Sequence, residues 1–576
     1  MSALKEHYQS AISELTKPGA PFETVRHDLG GIEYSVYLNA PKTFIELLDK
    51  GRTYGDQEFL VFQNERLSFN EFYRQVDLLA LQLRAEFGVG AGDRVAIAMR
   101  NYPEWMVAFV AVVKVGAVIV PLNSWGLAQE LQQCLSDAQV SLIFCDEKRL
   151  QILDPNEPEI PTIVVRASAF INDGNRHRFE DVINVDNPAS IPDLSTAMTV
   201  DPEELAMIMY TSGTSGKPKG AMFSHRNCCQ SLTNFEAVGA AAYICNIDSY
   251  NRHGQKGMPP RALLAVPLFH VSGLFSQFIL NLRGGRCLVM MYKWDPVAAC
   301  RLIDQEKISL VMGAPSMLLD LLSNSEFQTI DSSNIINMSA GGAATPSKLA
   351  ERVSEKVPSA LPGAGWGMTE SGAAGTAFTG YFVNHKPGSS GFVNPIVALQ
   401  FCDESGKEVP SGTPGEVWLK SPTVIMGYLN ATDANCREFQ DGWFRTGDIG
   451  YLDEDGCIFI CDRAKDMVIR GGENIYPIEI EHRIQAMPGV EAVAAFAVHS
   501  EQYGEEVAAV VKVATGNVKK INANDIKRHC EATLAYFKVP SFIVITEVAL
   551  PVNAVNKVIK SAVREKFFPE LSAIYS

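Results

Sequence analysis

No apolar run in this chain is long enough to cross a bilayer. The most apolar stretch, "WMVAFVAVVKVGAVIVPL" from Trp105 to Leu122, is interrupted by Lys114 and Gly116 and closed by Pro121, whereas a spanning helix needs about 20 apolar residues. It reads as a buried helix, a turn at Gly116 and a short interior strand. The start, "MSALKEHYQS", has no apolar segment of the secretory kind. Twelve scattered cysteines include no C-x-x-C pair; only Cys228 and Cys229 are adjacent. This pattern argues against a zinc site or a disulfide scaffold and for a reduced, cytoplasmic chain. Positive charge is also short: 50 basic against 66 acidic residues leave a formal net charge of −16. That excludes a general electrostatic affinity for nucleic acid, though not a local basic site. Internal repeats and low-complexity tracts are absent.

What is present is globular, with 576 residues, 47% of them apolar and 20% charged. Single cores stop growing at roughly 250–300 residues, so the length implies more than one domain. "RVAIAMR" (Arg94–Arg100), "VSLIFCD" (Val140–Asp146) and "ALLAVPL" (Ala262–Leu268) read as buried strands. "SFNEFYRQVDLLALQLRAEF" (Ser68–Phe87) reads as an amphipathic helix started by Ser68 or Asn70. Such alternation predicts α/β layers. From about Phe401 the pattern turns to strand–turn–strand, a β-rich subregion. The last part is compact α+β, with helices near Pro477–Met487 and Ala523–Leu534 and strands near Val490–Val498 and Val507–Val513. Gly239 to Arg261, containing "NIDSYNRHGQKGMPPR", is predicted to be a long surface loop.

The chemistry-bearing stretch is "YTSGTSGKPKGAMFSHRN", Tyr210 to Asn227. Glycines allow a backbone turn whose N–H groups converge on phosphate oxygens, and Thr211, Ser212, Thr214, Ser215, Lys217 and Lys219 add donors and charge. It is not a P-loop. Gly213 and Gly216 are three apart, and Pro218 follows Lys217 where a Ser or Thr should stand. Composition alone would equally describe a linker. Four further segments settle the resemblance: "GWGMTE" (Gly365–Glu370), "RTGDIGYLDEDG" (Arg445–Gly456), "DRAKDMVIRGGENIYPIEIE" (Asp462–Glu481) and "PVNAVNKVIK" (Pro551–Lys560). Together, and in this order, the five resemble the motifs of the adenylate-forming superfamily, in its AMP-forming acyl-CoA synthetase or fatty-acid–CoA ligase type.

The resemblance implies a large domain, residues 1–461, of layered α/β subdomains plus a β-rich subdomain. A hinge at 462–466 leads to a small mobile α+β domain, 467–576. It implies that a carboxylic acid attacks the α-phosphate of ATP, with Mg²⁺ bound, and that the acyl group then passes to CoA. Lys557 is the implied adenylation catalyst, preceded by Asn556 where the family usually has Gly; Asn tolerates the same left-handed turn. Thr369 contacts phosphate, Glu370 and Thr214 serve the metal, Asp448 accepts the ribose hydroxyls, and Arg463 reaches ribose or phosphate. Trp366 offers a flat face to adenine, with Gly341, Ala343 and Gly367 beside the nucleotide. His270 in "PLFHVSG" is implied at the mouth of the acyl pocket, with Val271, Phe275, Gly342, Gly365 and Met368 lining it. Lys465 is the hinge pivot, and Gly471 and Gly472 flank the thiol path.

The resemblance also bears on the substrate: amino-acid-activating members of the superfamily place an Asp in this segment to pair with the α-ammonium, and no acid occurs between Ala262 and Trp294, so an amino acid is disfavoured. The likeness of "GWGMTE" to the same segment in fatty and medium-chain acyl-activating relatives implies a medium- or long-chain aliphatic acid. Three readings stay open beside the CoA ligase: a ligase loading a separate acyl carrier protein, a nucleotide sensor without catalysis, and a luciferase-like oxidase sharing the first step. A homodimer is equally open.

Overall fold

The computed structural model describes residues 2–153, 160–168, 174–184, 200–211, 218–343, 345–346, 348–471, 473–514, 521–554 and 556–569. Among these, two large sheets dominate. One runs Gly427–Tyr428, Lys219–Ser224, Leu205–Thr211, Val118–Pro121, Arg94–Ala98, Leu142–Asp146, Thr162–Val165, Arg176–Arg178. The other runs Phe392–Val393, Thr376–Thr379, Leu361–Trp366, Asn337–Ala340, Leu310–Gly313, Arg261–Leu264, Cys287–Met290, Glu58–Phe62, Glu65–Ser68. Their central strands are parallel and buried on both faces, as near-continuous apolar runs require.

The apolar stretch divides as its punctuation dictates. Pro103 opens a helix to Lys114, Gly116 turns at φ 75°, and Val118–Pro121 is an interior strand. Trp105, Phe109 and their neighbours are fully buried in the core shared by both sheets. The helix Phe69–Ala85 starts in a capping box, Ser68 with Glu71, which satisfies two orphan donors of its first turn.

The predicted loop after Gly239 is instead helical. The helix His225–Cys245 runs on through Gly239 and the Ala240–Ala242 run, and a second helix spans Ile247–Gly254. Three consecutive alanines outweigh one glycine in helix propensity. Asp248 in the first turn and Arg252 and His253 in the last complement the dipole of the second helix.

The β-rich subregion is an antiparallel sheet in which Trp443–Leu452 pairs with both Gly415–Lys420 and Ile458–Arg463. One short turn, Ala464–Asp466, follows. The chain then enters a last sheet of Val468–Arg470, Glu473–Ile475, Val490–Ser500, Gly504–Val513 and Phe542–Thr546. This sheet has cores of its own, one around Ile480, Ala495 and Ile526 and one around Phe496 and Val563. A buried Asp462 ties the two parts together: its Oδ2 accepts the Ile478 N–H at 3.0 Å, and Lys560 stands 3.8 Å away. Burial pushes the Asp462 pKa up to about 6, with Lys560 opposing.

Candidate active site

The C-terminal ends of the second sheet's parallel strands open into a cavity of about 2020 Å³. Backbone geometry places its wall. Gly341 and Gly342 follow the strand Asn337–Ala340, Gly342 turning at φ 78°, and Trp366 ends the strand Leu361–Trp366. A short turn, Thr369–Ser371, then presents Thr369 and Glu370 to the cavity. Gly367 is required by packing: a Cβ there would lie 2.4 Å from the Ala373 carbonyl oxygen.

Thr211 and Lys219 are partners in an antiparallel pair, and both line the cavity. Both described flanks of the phosphate-loop motif therefore stand at the cavity. Ser212, Gly213, Thr214, Ser215, Gly216 and Lys217 lie outside the described residues. Lys219 is engaged: its ammonium is 2.8 Å from Glu438 and 4.3 Å above the Tyr428 ring. Arg437 also reaches Glu438 at 2.8 Å, and the Tyr428 hydroxyl donates to Glu370 at 3.0 Å. Sequence reasoning missed Tyr428, Arg437 and Glu438. An adjacent Arg–Glu pair on a short helix reads as solvated surface, and only the fold turns that helix toward the cavity.

Burial raises the pKa of Glu370, opposed by the Tyr428 bond and by Arg463. Among the described residues no cation lies within ion-pairing distance of it. A desolvated carboxylate without a counter-ion is a fitting donor for a hard cation.

Asp448 and Arg463 face each other across paired strands, with Nε 3.0 Å from Oδ1. The other carboxylate oxygen accepts the Trp366 indole N–H at 2.7 Å. Asp448 is buried against Trp366 and Arg463, which line the cavity together with Gly447. An ionised carboxylate has about four acceptor sites. Trp366 and Arg463 take two, leaving capacity for two hydroxyl donors.

Lys557 arrives from the other side. Asn556 adopts φ 59°, its carbonyl accepts the Ser316 hydroxyl at 3.1 Å, and Asn553 brackets the turn with bonds of 2.9 and 2.8 Å to the Lys557 backbone. The Lys557 side chain lines the cavity. Surrounding protein lowers its pKa, and Arg463 repels it further. His270 is close enough to feel this ammonium. Burial first, then Lys557, push its pKa down to about 4, so the imidazole is neutral at pH 7.

Val271, Gly365 and Met368 line the cavity with His270. Phe275 does not. It lies fully buried against Phe44 and Phe223, with ring centroids 6.5 and 5.9 Å away. It sits in a π-helical turn, Leu274–Ile279, that shows Ser276 and Gln277 to the cavity instead. Ala343 is half-buried outside the lining. Lys465 lines the cavity at the turn between the two parts. Gly471 turns at φ 60° and bonds the Tyr503 carbonyl, away from the cavity; Gly472 lies outside the described residues.

The sequence model of the AMP-binding enzyme family matches residues 47–429, and that of the AMP-binding enzyme C-terminal domain matches residues 479–557. The chain belongs to the AMP-binding enzyme family. Within it, this is an adenylate-forming enzyme of the acyl-CoA synthetase type, an ATP-dependent acid–thiol ligase that forms AMP. A feruloyl-CoA synthase from Amycolatopsis sp is 32% identical over 87% of this chain and 94% of the relative. The long-chain-fatty-acid–CoA ligase FadD13 of Mycobacterium tuberculosis is 32% identical over 86% and 93%. Among solved structures, ATP-bound MatB from Rhodopseudomonas palustris is 28% identical, with a TM-score of 0.76 over 92% of this chain and 100% of that one. A fatty acyl CoA synthetase from Mycobacterium tuberculosis is 27% identical, with a TM-score of 0.68 over 92% and 99%. As a member of this family the ligase uses ATP and CoA as substrates.

Proposed function

We propose that this ligase activates an aliphatic carboxylic acid of medium or long chain and transfers it to CoA, in the cytoplasm. The observation that carries the reading is the meeting of Lys557 with Thr369, Glu370, Trp366 and both flanks of the phosphate loop in one cavity. That cavity continues along the sheet past Leu263, Val311 and Ile336 as a slot with apolar walls.

In the first step an acid oxygen forms a bond to the α-phosphorus of ATP, and the bond to the pyrophosphate oxygen breaks. Both reactants are anions. Lys557, with Arg463 beside it, supplies positive charge where theirs converges. Neutral His270 orients the acid without competing for its charge. Trp366 faces adenine, and Asp448 takes the ribose hydroxyls on its two remaining acceptor sites. Glu370 would hold Mg²⁺, together with Thr214, and the ion when bound would screen the phosphate charge.

In the second step the thiol attacks the acyl carbonyl and AMP leaves. This requires Lys557 to withdraw, with rotation at 462–466 about Lys465 bringing Gly471 and Gly472 to the thiol path. The large unit is 1–461 and the moving one 467–576. FadD13 is named for long-chain fatty acids, which supports the aliphatic reading.

The test is acid-dependent AMP formation across aliphatic and aryl acids, with CoA or a pantetheinylated carrier protein as acceptor. Turnover of medium or long aliphatic acids with CoA is expected. Turnover with the carrier alone would move the assignment to a carrier-loading ligase, and no pyrophosphate release with any acid would leave a nucleotide sensor.

A further inference from the structure

The far end of the cavity carries a cation that has no ion-pair partner among the described residues. All four residues of the strand Leu310–Gly313 line the cavity, so it runs the length of the sheet, on the order of 10 Å at about 3.3 Å per residue. The reactive groups sit at the C-terminal ends of the strands. At the opposite ends is Arg286, immediately before the strand Cys287–Met290, which is in parallel register with Arg261–Leu264.

The guanidinium folds over Gly284, where a Cβ would approach its Cζ and Nε to 3.3 Å. Among the described residues no carboxylate lies within ion-pairing distance of it. Glu236 also lines this end, but Arg283 holds both its oxygens, at 2.6 and 3.0 Å. The Tyr250 phenol faces the same space with no hydrogen-bond partner among the described residues, its ring 5.2 Å from that of Tyr243. Burial lowers the Arg286 pKa, with Tyr250 opposing. A half-buried cation beside a phenol, at the far end of a slot with apolar walls, is matched by an anionic oxygen group brought in on an apolar chain.

We propose that Arg286, assisted by Tyr250, is a specificity-determining residue that binds a second carboxylate at the distal end of the acyl substrate, so that the preferred acids are dicarboxylic. This rests on the reading of the cavity as the acyl site. The acid still enters with one carboxylate toward Lys557; the other remains unreacted against Arg286.

The experiment compares α,ω-dicarboxylic acids with monocarboxylic and ω-hydroxy acids of equal length, by pyrophosphate release and by equilibrium binding, in the native enzyme and in Arg286→Met and Arg286→Lys. The native enzyme should prefer the dicarboxylic member of a pair. Arg286→Met should lower that preference in kcat/KM by at least about tenfold, through KM, and Arg286→Lys should keep part of it. Equal use of paired acids by the native enzyme would overturn the proposal, as would a preference for ω-hydroxy acids or a ratio that Arg286→Met leaves unmoved. Absence of pyrophosphate release with every acid would sink the adenylation reading. The binding arm would still decide the role of Arg286, because it needs no turnover.

Discussion

Asp448→Asn separates the proposed ribose contact from the rest of the site. The substitution preserves shape but gives one of the two side-chain positions a donor. In the native site both positions accept, one from the Trp366 indole at 2.7 Å and the other from Arg463 at 3.0 Å. Either rotamer of the amide therefore sets a donor against a donor, in a residue only 6% exposed. Arg463 also loses the neighbour that does most to raise its pKa, so its guanidinium becomes free to swing. A hydrogen bond to a charged group is worth about 1.5–3 kcal/mol, and about 1.4 kcal/mol is tenfold. Loss of one such contact to ribose predicts roughly a 10- to 100-fold fall in kcat/KM for ATP. The assay is acid-dependent pyrophosphate release at varied ATP, run in parallel with 2′-deoxy-ATP. Native enzyme should discriminate against the deoxy nucleotide, and Asp448→Asn should lose most of that discrimination. Binding of the acid alone should change little. If the variant keeps native ATP parameters, or loses activity while still discriminating between the two nucleotides, the ribose assignment is wrong.

Two further outcomes concern the surroundings of the site. His225 is buried and accepts the Phe44 N–H at 3.1 Å through Nδ1, and burial pushes its pKa from 6.5 down to about 4. The native state therefore refuses a proton that the unfolded chain accepts. This contribution is complete above pH 6.5 and is lost as pH falls toward 4, at most about 3 kcal/mol; thermal melts of His225→Gln should show a shallower acid slope over that window, and parallel slopes would contradict the argument. Gly239 lines the cavity from within a helix, and a Cβ there meets nothing within 4 Å. Gly239→Phe should fold and should lower kcat/KM for the longest acids by about tenfold or more relative to short ones, whereas an unchanged length profile would remove this helix from the acyl wall.

Where local chemistry and tertiary structure agree, the sequence was readable. Gly116, Ser68 and Asn556 each mark a backbone event that depends on a few neighbours, and each does what its residue type predicts. The strands Arg94–Ala98 and Leu142–Asp146 were visible as apolar runs because both their faces are buried. The misreadings have a common origin in orientation. The polar stretch after Gly239 reads as loop until the alanines before it are seen to extend a helix against the cavity. Phe275 stands in a pocket-like motif, yet the π-helical turn rotates it into the core. Tyr428, Arg437, Glu438 and Arg286 carry no local signal; their significance comes from which cavity they line and which partners they have or lack.

The central claim is that Lys557 serves adenylation and is withdrawn for thioester formation. Measuring the two half-reactions separately in Lys557→Ala tests it most directly. Acid-dependent pyrophosphate release should fall to background, because charge at the α-phosphate is lost. Thioester formation from supplied acyl-AMP and CoA should largely persist. Equal loss of both steps in a variant that retains the native melting transition, or retention of both, would contradict the account.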